Sequence, residues 1–401
     1  MFMIERPDYM NKILPFIDMN VIKVFTGIRR CGKSTILSMF KKFLLEKRGI
    51  LSQNIIEVNF ESKKMEFNQS VEKTYEFIKQ QSQDLSGKFY LLFDEIQELD
   101  GWEKLINTLT IDFDVDIYLT GSNAKLLSSE LSTYLGGRYI EIQVFPFSFK
   151  EIHQLLLQRN STLQDSFMEY VSLGGMPFIY ETGITGEAVR IYLQDVFNSV
   201  MLKDISQRHK IREIDLLERF IMFLLSETGH LFSAKSIIKY MKSQKRSISL
   251  ETIYNFLKYS AEACLSLPLK RYNLVGKEFL STMEKIYVAD HGFREAIIGG
   301  NGLAIDQILE NIVAVELLRR GWKLSVGLMD NKEIDFVAQR KSDILYIQVS
   351  YLMPTEETRQ REFAPLEAIS DNYPKTVLSL DLANFSHNGI VHRNLIDFLL
   401  E

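Results

Sequence analysis

The chain has 401 residues, 46% of them hydrophobic and 25% charged, and a formal net charge of −5. That length allows two to four domains with real cores, and the charge excludes a surface that is basic throughout, so any nucleic-acid site must be local. Two cysteines far apart, Cys31 and Cys264, exclude a disulfide scaffold and suit a reducing compartment.

The start, MFMIERPDYM, has no apolar h-region. The longest apolar runs, such as FIMFLL at 220–225, are too short to span a bilayer. The histidines have no partner at zinc spacing. The expectation is a cytoplasmic protein without structural zinc or membrane contact. Residues 21–26 then alternate apolar and polar like a short strand, and Gly27 to Ser34 read G-I-R-R-C-G-K-S, a complete Walker A loop. An amphipathic helix follows, with Ile36, Leu37, Phe40, Phe43 and Leu44 on one side. Strand, loop and helix are the context this motif requires. The backbone from Gly27 through Ile28, Arg29, Arg30, Cys31 and Gly32 to Thr35 is expected to cradle phosphate oxygens at the helix N-terminus. Lys33 reaches the β- and γ-phosphates, and Ser34 ligates Mg2+. Cys31 reads as a tolerated loop residue.

The apolar run 89–93 suits a buried central parallel strand, and it ends in Asp94-Glu95. Asp94 is expected to hold magnesium through water and Glu95 to polarise the attacking water, as nucleotide hydrolysis requires. A third strand, VDIYLTGSN at 115–123, ends in Ser122 and Asn123, placed to touch a γ-phosphate. Arg138 follows two glycines and precedes another strand. It reads either as a finger on the γ-phosphate, in the same subunit or a neighbour of a homo-oligomer, or as a surface arginine.

Residues 151–213 carry helical periodicity broken by SLGGMP, and suggest a helical lid from which Arg190, Lys203 or Arg208 could approach the nucleotide. Residues 214–295 suggest a winged helix: three helices, two of them opened by a serine cap, then SLPLKRYN and KEFLS as a hairpin. From Lys235 to Lys258, six basic residues (Lys235, Lys239, Lys242, Lys245, Arg246 and Lys258) stand against Glu251 alone. This is the one local excess suited to DNA phosphates, with Thr252, Tyr254 and Asn255 able to face bases. Docking of a protein partner is the other reading of the same domain.

Residues 296–401 read as a small α/β domain: a helix containing Glu310, strands WKLSVGLM, EIDFVAQ and ILYIQVS, then VLSLD. The order resembles the restriction-endonuclease-like fold, with Glu310, Asp335, Gln348 and Ser350 at the matching positions and Glu333 beside them. Such a site needs a second carboxylate and a lysine, where this chain has Gln348 and Ser350. The expectation is a retained fold without cutting activity, in which Asp335 and Glu310 are the only firm anions and metal affinity is poor.

The order R-P-x-Y (6–9), GIRRCGKS, LLFDEIQ, LTGSN, LGGRY (135–139) and F-P-F-S-F (145–149) resembles one family of AAA-type ATPases of bacteria and archaea that carry a C-terminal domain of unknown function. The resemblance continues through GGMP (174–177), DVFNSVMLKDISQRHKI (195–211) and KIYVADHGF (285–293). It implies ATP as the nucleotide and catalytic roles for Asp94 and Glu95, alongside Lys33. The fold class expected is α/β: a P-loop NTPase core over 1–150, the lid, the winged helix and the nuclease-like domain. The function expected is a Mg2+-dependent ATPase that couples nucleotide state to engagement of DNA or a protein by its C-terminal half. An ATP-sensing regulator with little turnover, or an ATP-regulated nuclease, are the alternatives.

Overall fold

Parallel strands need helical crossovers that cover both faces of their sheet, so they read as apolar runs separated by amphipathic helices. The first third of the chain follows that rule. The computed structural model describes residues 4–62, 67, 70–123, 137–280, 284–329 and 332–401. The chain divides into two compact units, Met1–Val144 with Glu262–Cys264, and Phe145–Ala261 with Leu265–Glu401.

In the first unit the elements run α1 (Pro7–Ile13), β1 (Ile22–Thr26), α2 (Lys33–Glu46), β2 (Ile55–Asn59), α3 (Val71–Ser82), β3 (Phe89–Asp94), α4 (Trp102–Asp112), β4 (Val115–Gly121) and β5 (Tyr139–Gln143). All five strands are parallel, in the order β2-β3-β4-β1-β5. Phe89, Leu91 and Phe93 of β3 pack with Ile78 of α3 and with Trp102, Leu105, Ile106 and Leu109 of α4 in one core. On α2 the buried apolar side chains are Ile36, Leu37, Phe40 and Leu44. Because the strands share one direction, the residues that follow β1, β2, β3 and β4 gather along a single edge. β1 is buried at all five positions rather than on alternate ones. Lys23 lies inside because Asp116 of β4 meets its ammonium, and Asp116 also accepts from the Tyr118 hydroxyl at 2.9 Å and the Asp18 amide at 2.8 Å.

The second unit begins with α5 (Phe149–Leu157), α6 (Leu163–Leu173), α7 (Pro177–Thr182) and α8 (Glu187–Ser199), which runs on as a π-helical stretch, Val200–Gln207. Next come α9 (Ile214–Ser226), α10 (Ala234–Ser243), α11 (Leu250–Glu262), β6 (Ser266–Leu269), β7 (Arg271–Asn273), β8 (Glu278–Phe279), β9 (Lys285–Val288) and α12 (Gly292–Ile297). The chain ends with α13 (Ile305–Arg319), β10 (Lys323–Met329), β11 (Lys332–Arg340), β12 (Asp343–Val349), α14 (Glu356–Glu367), β13 (Lys375–Ser379), β14 (Ile390–Asn394) and α15 (Leu395–Leu400). Ser233 caps α10, accepting from the Ser236 amide, and Ser249 accepts from the Thr252 amide at the start of α11.

A mixed seven-stranded sheet orders β14-β13-β12-β11-β10-β7-β8, and β6 pairs antiparallel with β9 in a separate ribbon. SLPLKRYN is therefore two strands. β6 carries Pro268, which has no N–H to give and is confined to a narrow ribbon. β7 pairs antiparallel with β8 and parallel with β10, so the hairpin read as a wing extends the larger sheet.

The GGMP and ADHGF motifs meet in one knot. The Asp290 carboxylate accepts from the amides of Gly175 at 2.7 Å and Gly292 at 2.8 Å. The Tyr180 hydroxyl donates to the Gly174 carbonyl at 2.6 Å, and the Phe147 amide to the Gly175 carbonyl at 2.7 Å. Gly174 has φ +78°, and a Cβ there would meet Asp290 Oδ1 at 1.9 Å, so no side chain is tolerated.

Candidate nucleotide-binding site

The loop from Gly27 to Gly32 leaves the end of β1 and opens α2. Gly27 has φ +151°, and a Cβ on it would stand 2.1 Å from the Val144 carbonyl oxygen. Arg30 is left-handed at φ +68° and Gly32 at φ +100°, the alternation that turns successive N–H groups to one side. Cys31 is fully buried, its thiol 3.3 Å from the Val144 carbonyl, and burial pushes that thiol up, away from reactivity. Arg6, from the R-P-x-Y motif, donates to the Cys31 carbonyl at 3.1 Å and pins the loop from behind. Ile28 is buried, Arg29 pairs with Glu61 at 2.8 Å, and Thr35 is half-buried on the first turn of α2.

Lys33 is buried and folds back over the loop, its ammonium 3.1 Å from the Gly27 carbonyl, 3.2 Å from that of Ile28 and 3.6 Å from Glu95 Oε1. The exposed Ser34 hydroxyl donates to Asp94 Oδ1 at 2.9 Å. Thr120 on β4 donates to the same oxygen at 2.6 Å, and Asn59 at the end of β2 to Oδ2 at 2.9 Å. Burial raises the Asp94 carboxyl, and the hydroxyls of Thr120 and Ser34 counter it without reversing it. Burial pushes Glu95 up as well, but the Lys33 ammonium, then the Gln97 amide and Arg29, bring it below the ordinary glutamate range. Glu95 itself has φ 53° and ψ 49°, a left-handed conformation that costs about 1–2 kcal/mol in a residue with a Cβ. Its amide is fixed by Thr120 Oγ1 at 2.9 Å.

Ser122 and Asn123 are buried at the end of β4, on the same edge. Arg138 is exposed just before β5, its carbonyl accepting from the Ile22 amide at 2.9 Å. Leu135 and Gly136 of the LGGRY motif lie outside the described residues. The structure thus gathers Lys33, Ser34, Asp94, Glu95 and Ser122. Sequence reasoning passed over Thr120, Asn59 and Gln97, although all three stand within the last residues of strands or the turn after one, where such sites are built.

In the second unit Arg190 pairs with Glu187 on its own helix. Lys235, Lys239, Lys242, Lys245 and Lys258 are exposed, while Arg246 is held by Asp215 at 3.0 Å. Tyr254 is exposed, and Thr252 shares a hydrogen bond with Ser249 at 2.8 Å.

The carboxylates of the C-terminal domain are not left without a cation. Lys285 of β9, almost wholly buried, contacts Glu310 and stands 2.9 Å from Glu333 and 3.4 Å from Asp335. Burial alone would lower this ammonium, but Glu310, Asp335 and Glu333 drive it above the lysine range. Burial, then Asp335, push Glu310 up to about 8 in spite of Lys285, and the Tyr287 hydroxyl donates to the same carboxylate. Asp335 accepts from the Val349 amide at 2.9 Å, and Gln348 bridges the Asp335 amide and Glu362, each at 3.3 Å. Ser350 is buried beside them. One ammonium, from β9, thus faces Glu310, Glu333 and Asp335 together. Among the described residues no three Asp, Glu, His or Cys groups converge as a metal would require.

The five-stranded parallel sheet and its loop define an AAA-type P-loop ATPase-like domain, and a family model described as an AAA domain matches residues 19–153. A second model, a domain of unknown function (DUF8612), matches residues 164–303. The chain belongs to the family of an uncharacterized protein from Haemophilus influenzae, to which it is 37% identical over 403 residues, covering 100% of this chain and 99% of that one. It is also 29% identical to the uncharacterized protein MJ1544 of Methanocaldococcus jannaschii, over 94% of this chain and 84% of the relative. Among solved structures, the Walker-type ATPase PABY2304 of Pyrococcus abyssi resembles it in fold, with a TM-score of 0.52 at 18% identity, over 73% of this chain and 95% of that one. Among the described residues no helix is long and apolar enough to cross a membrane.

Proposed function

We propose that the protein binds ATP in the Gly27–Thr35 loop and hydrolyses it. The observation that carries this reading is the convergence of Ser34 on Asp94 at 2.9 Å and Lys33 on Glu95 at 3.6 Å, beside a loop too tight for any side chain at Gly27. A hydroxyl and a carboxylate at that separation are the hard oxygen donors that suit Mg2+. Ser34 would ligate the ion directly and Asp94 through water, and the ion, when bound, supplies charge neutralisation for the phosphates.

The chain's own groups do the rest. Loop amides orient the phosphates. Lys33 leaves the loop carbonyls for the β- and γ-phosphate oxygens, where its charge is better matched. Glu95 accepts a proton from the attacking water. Ser122 and Asn123 contact the γ-phosphate, and Arg138 offsets its transition-state charge from the same or a neighbouring subunit.

In this reading the helices over 151–213 are a lid, 214–295 a winged helix and 296–401 a restriction-endonuclease-like domain that does not cut. Nucleotide state governs what these C-terminal parts bind. The exposed lysines of α10 and α11 favour duplex DNA as that partner over a protein.

Steady-state turnover tests the core of the proposal. Lys33→Ala should abolish nucleotide binding, and Glu95→Gln should bind as tightly as wild type while turnover falls at least about 100-fold. Equal turnover in Glu95→Gln and wild type would refute it.

A further inference from the structure

Arg190, Arg219 and Arg246 of the second unit are each met by a carboxylate. Arg208 differs. Its side chain is half-buried, and its Nη1 is buried with no hydrogen-bond partner among the described residues. Desolvating a charged nitrogen without pairing it works against the folded state, so an arginine that served only the fold would not be kept in this pose.

The chain around Arg208 is held firmly. The residue closes the π-helical stretch Val200–Gln207, a backbone form that is rare at this length and collects at functional sites. The Ile211 amide donates to the Ser206 carbonyl at 2.9 Å, the Ser206 hydroxyl donates to the Ile211 carbonyl at 3.3 Å, and Lys210 takes a left-handed φ of 53° within that closure. The His209 ring stacks on Tyr259 of α11, with centroids 3.6 Å apart and planes 11° from parallel. Farther on, Asp215 pairs with Arg246 in the turn before α11. Residues 208–215 therefore run along the flank of α11, from its last turn back to its start.

This strip carries Arg208 and the exposed Lys210 and Arg212 against Glu213, and the exposed Lys258 stands next to Tyr259 in the chain. Asp215 is already shared by Arg219 and Arg246. The rise of a helix puts Tyr259 about 13 Å from the head of α11, and the major groove of duplex DNA is about 12 Å wide. Two cationic groups thus bracket α11 at the separation of two phosphate backbones: the exposed Lys242 and Lys245 before it, and this strip with Lys258 at its far end.

We propose that Arg208, Lys210 and Arg212 bind backbone phosphates of duplex DNA, on the strand across the groove from the one met by the lysines of α10. The resting pose of Arg208 costs the folded state, and turning outward to a phosphate oxygen relieves that cost through the charge-assisted pairing that a guanidinium suits. The site presupposes the duplex-DNA reading above and adds a second backbone contact to it.

The test is binding of the full-length protein to two duplexes of unrelated sequence across a salt series, with melting temperature and ATP affinity measured beside it. Arg208→Met should weaken both duplexes alike, by about tenfold at low salt, and reduce the salt slope by about 1, the loss of one phosphate contact. Its melting temperature without DNA should equal or exceed that of wild type, because methionine removes an unpaired buried nitrogen; an arginine that served only the fold would lower it and leave the salt slope alone. Lys210→Glu with Arg212→Glu, both exposed, should weaken binding and flatten the slope further, and decides the matter if Arg208→Met melts early. Wild-type affinity and slope in both variants, with binding lost in Lys239→Glu with Lys242→Glu, overturns this site and leaves the duplex reading standing. A loss confined to ATP affinity overturns it as well, by assigning the guanidinium to a nucleotide phosphate. Failure of wild type to bind either duplex overturns both.

Discussion

Lys285 shows how much one side chain can carry. Three carboxylates face its ammonium, those of Glu310 and Asp335 buried and that of Glu333 partly exposed. Lys285→Met should cost about 3–5 kcal/mol, the range for breaking a buried ion pair from one side, read as a lower denaturation midpoint. With the ammonium gone, millimolar Mg2+ or Mn2+ should raise the melting temperature of the variant more than that of wild type. Equal responses would show that the carboxylates do not form a shared cation cradle. The residue was legible in part. A charged residue opening the apolar run KIYV, two positions from Tyr287, is anomalous for a buried strand. Its partners were not legible, since Glu310 and Asp335 come from elements 25 and 50 residues away and only the fold brings them near. Lys23 repeats the lesson. Beside Val24 it read as the polar side of an alternating strand, and Asp116 across the sheet makes it a core residue. The phosphate loop, Asp94 and Glu95 were legible because their chemistry is local to one turn or one strand end.

At the scale of elements, the turn between α6 and α7 is locked to the turn between β9 and α12 through Asp290, with the His291 ring beside it donating from Nε2 to the Tyr170 carbonyl at 2.7 Å. Burial raises the Asp290 carboxyl to about 7, and lowers the His291 ring to about 4. An unfolded aspartate titrates near ~3.9 and a histidine near ~6.5. Between these values and the folded ones, the native state holds the Asp290 proton that the unfolded chain has lost, so its stabilisation is present below about pH 4 and lost as pH rises through about 7. His291 works in reverse: its contribution is present above about ~6.5 and lost as pH falls through about 4. The two slopes oppose each other. Stability of wild type should therefore vary little from this pair between about pH 4 and 6.5, and Asp290→Asn should expose the histidine slope, a loss toward acid. Chemical denaturation across that range decides it; a parallel acid response in variant and wild type would contradict the assignment. The same element scale marks where sequence patterns stop. The serine caps of α10 and α11, the strands β1, β3, β4 and β5, and the strands β10 to β13 follow from periodicity and cap chemistry, whereas β2 and β14 were not read as strands. The fate of the hairpin β7–β8 does not, because joining β10 depends on which sheet edge stands free, a property of the assembled fold.

For the whole molecule, a net charge of −5 sets the background against which the lysines of α10 and α11 must act. If they engage duplex DNA, affinity should fall steeply with salt, and Lys239→Glu with Lys242→Glu should weaken binding across all sequences while flattening that slope. Binding insensitive to both changes would move the partner to protein. If Arg138 serves a neighbouring subunit, turnover per chain should rise with protein concentration, and Arg138→Ala should lower kcat far more than nucleotide affinity. Turnover independent of concentration restricts Arg138 to its own subunit.

Residues 285–293 also bear on descent. This stretch gives Lys285 and Tyr287 to the carboxylates that follow it, and Asp290 to the glycines that precede it. A gene fusion joined between residues 295 and 296 would inherit Glu310, Glu333 and Asp335 without their counter-charge on one side, and the buried ammonium of Lys285 without its acids on the other. Neither fragment is a viable hand-me-down. The second unit is accordingly expected to pass between lineages whole, with exchange confined to junctions outside it, and chimaeras spliced at 295/296 should fail where chimaeras spliced near residue 145 succeed.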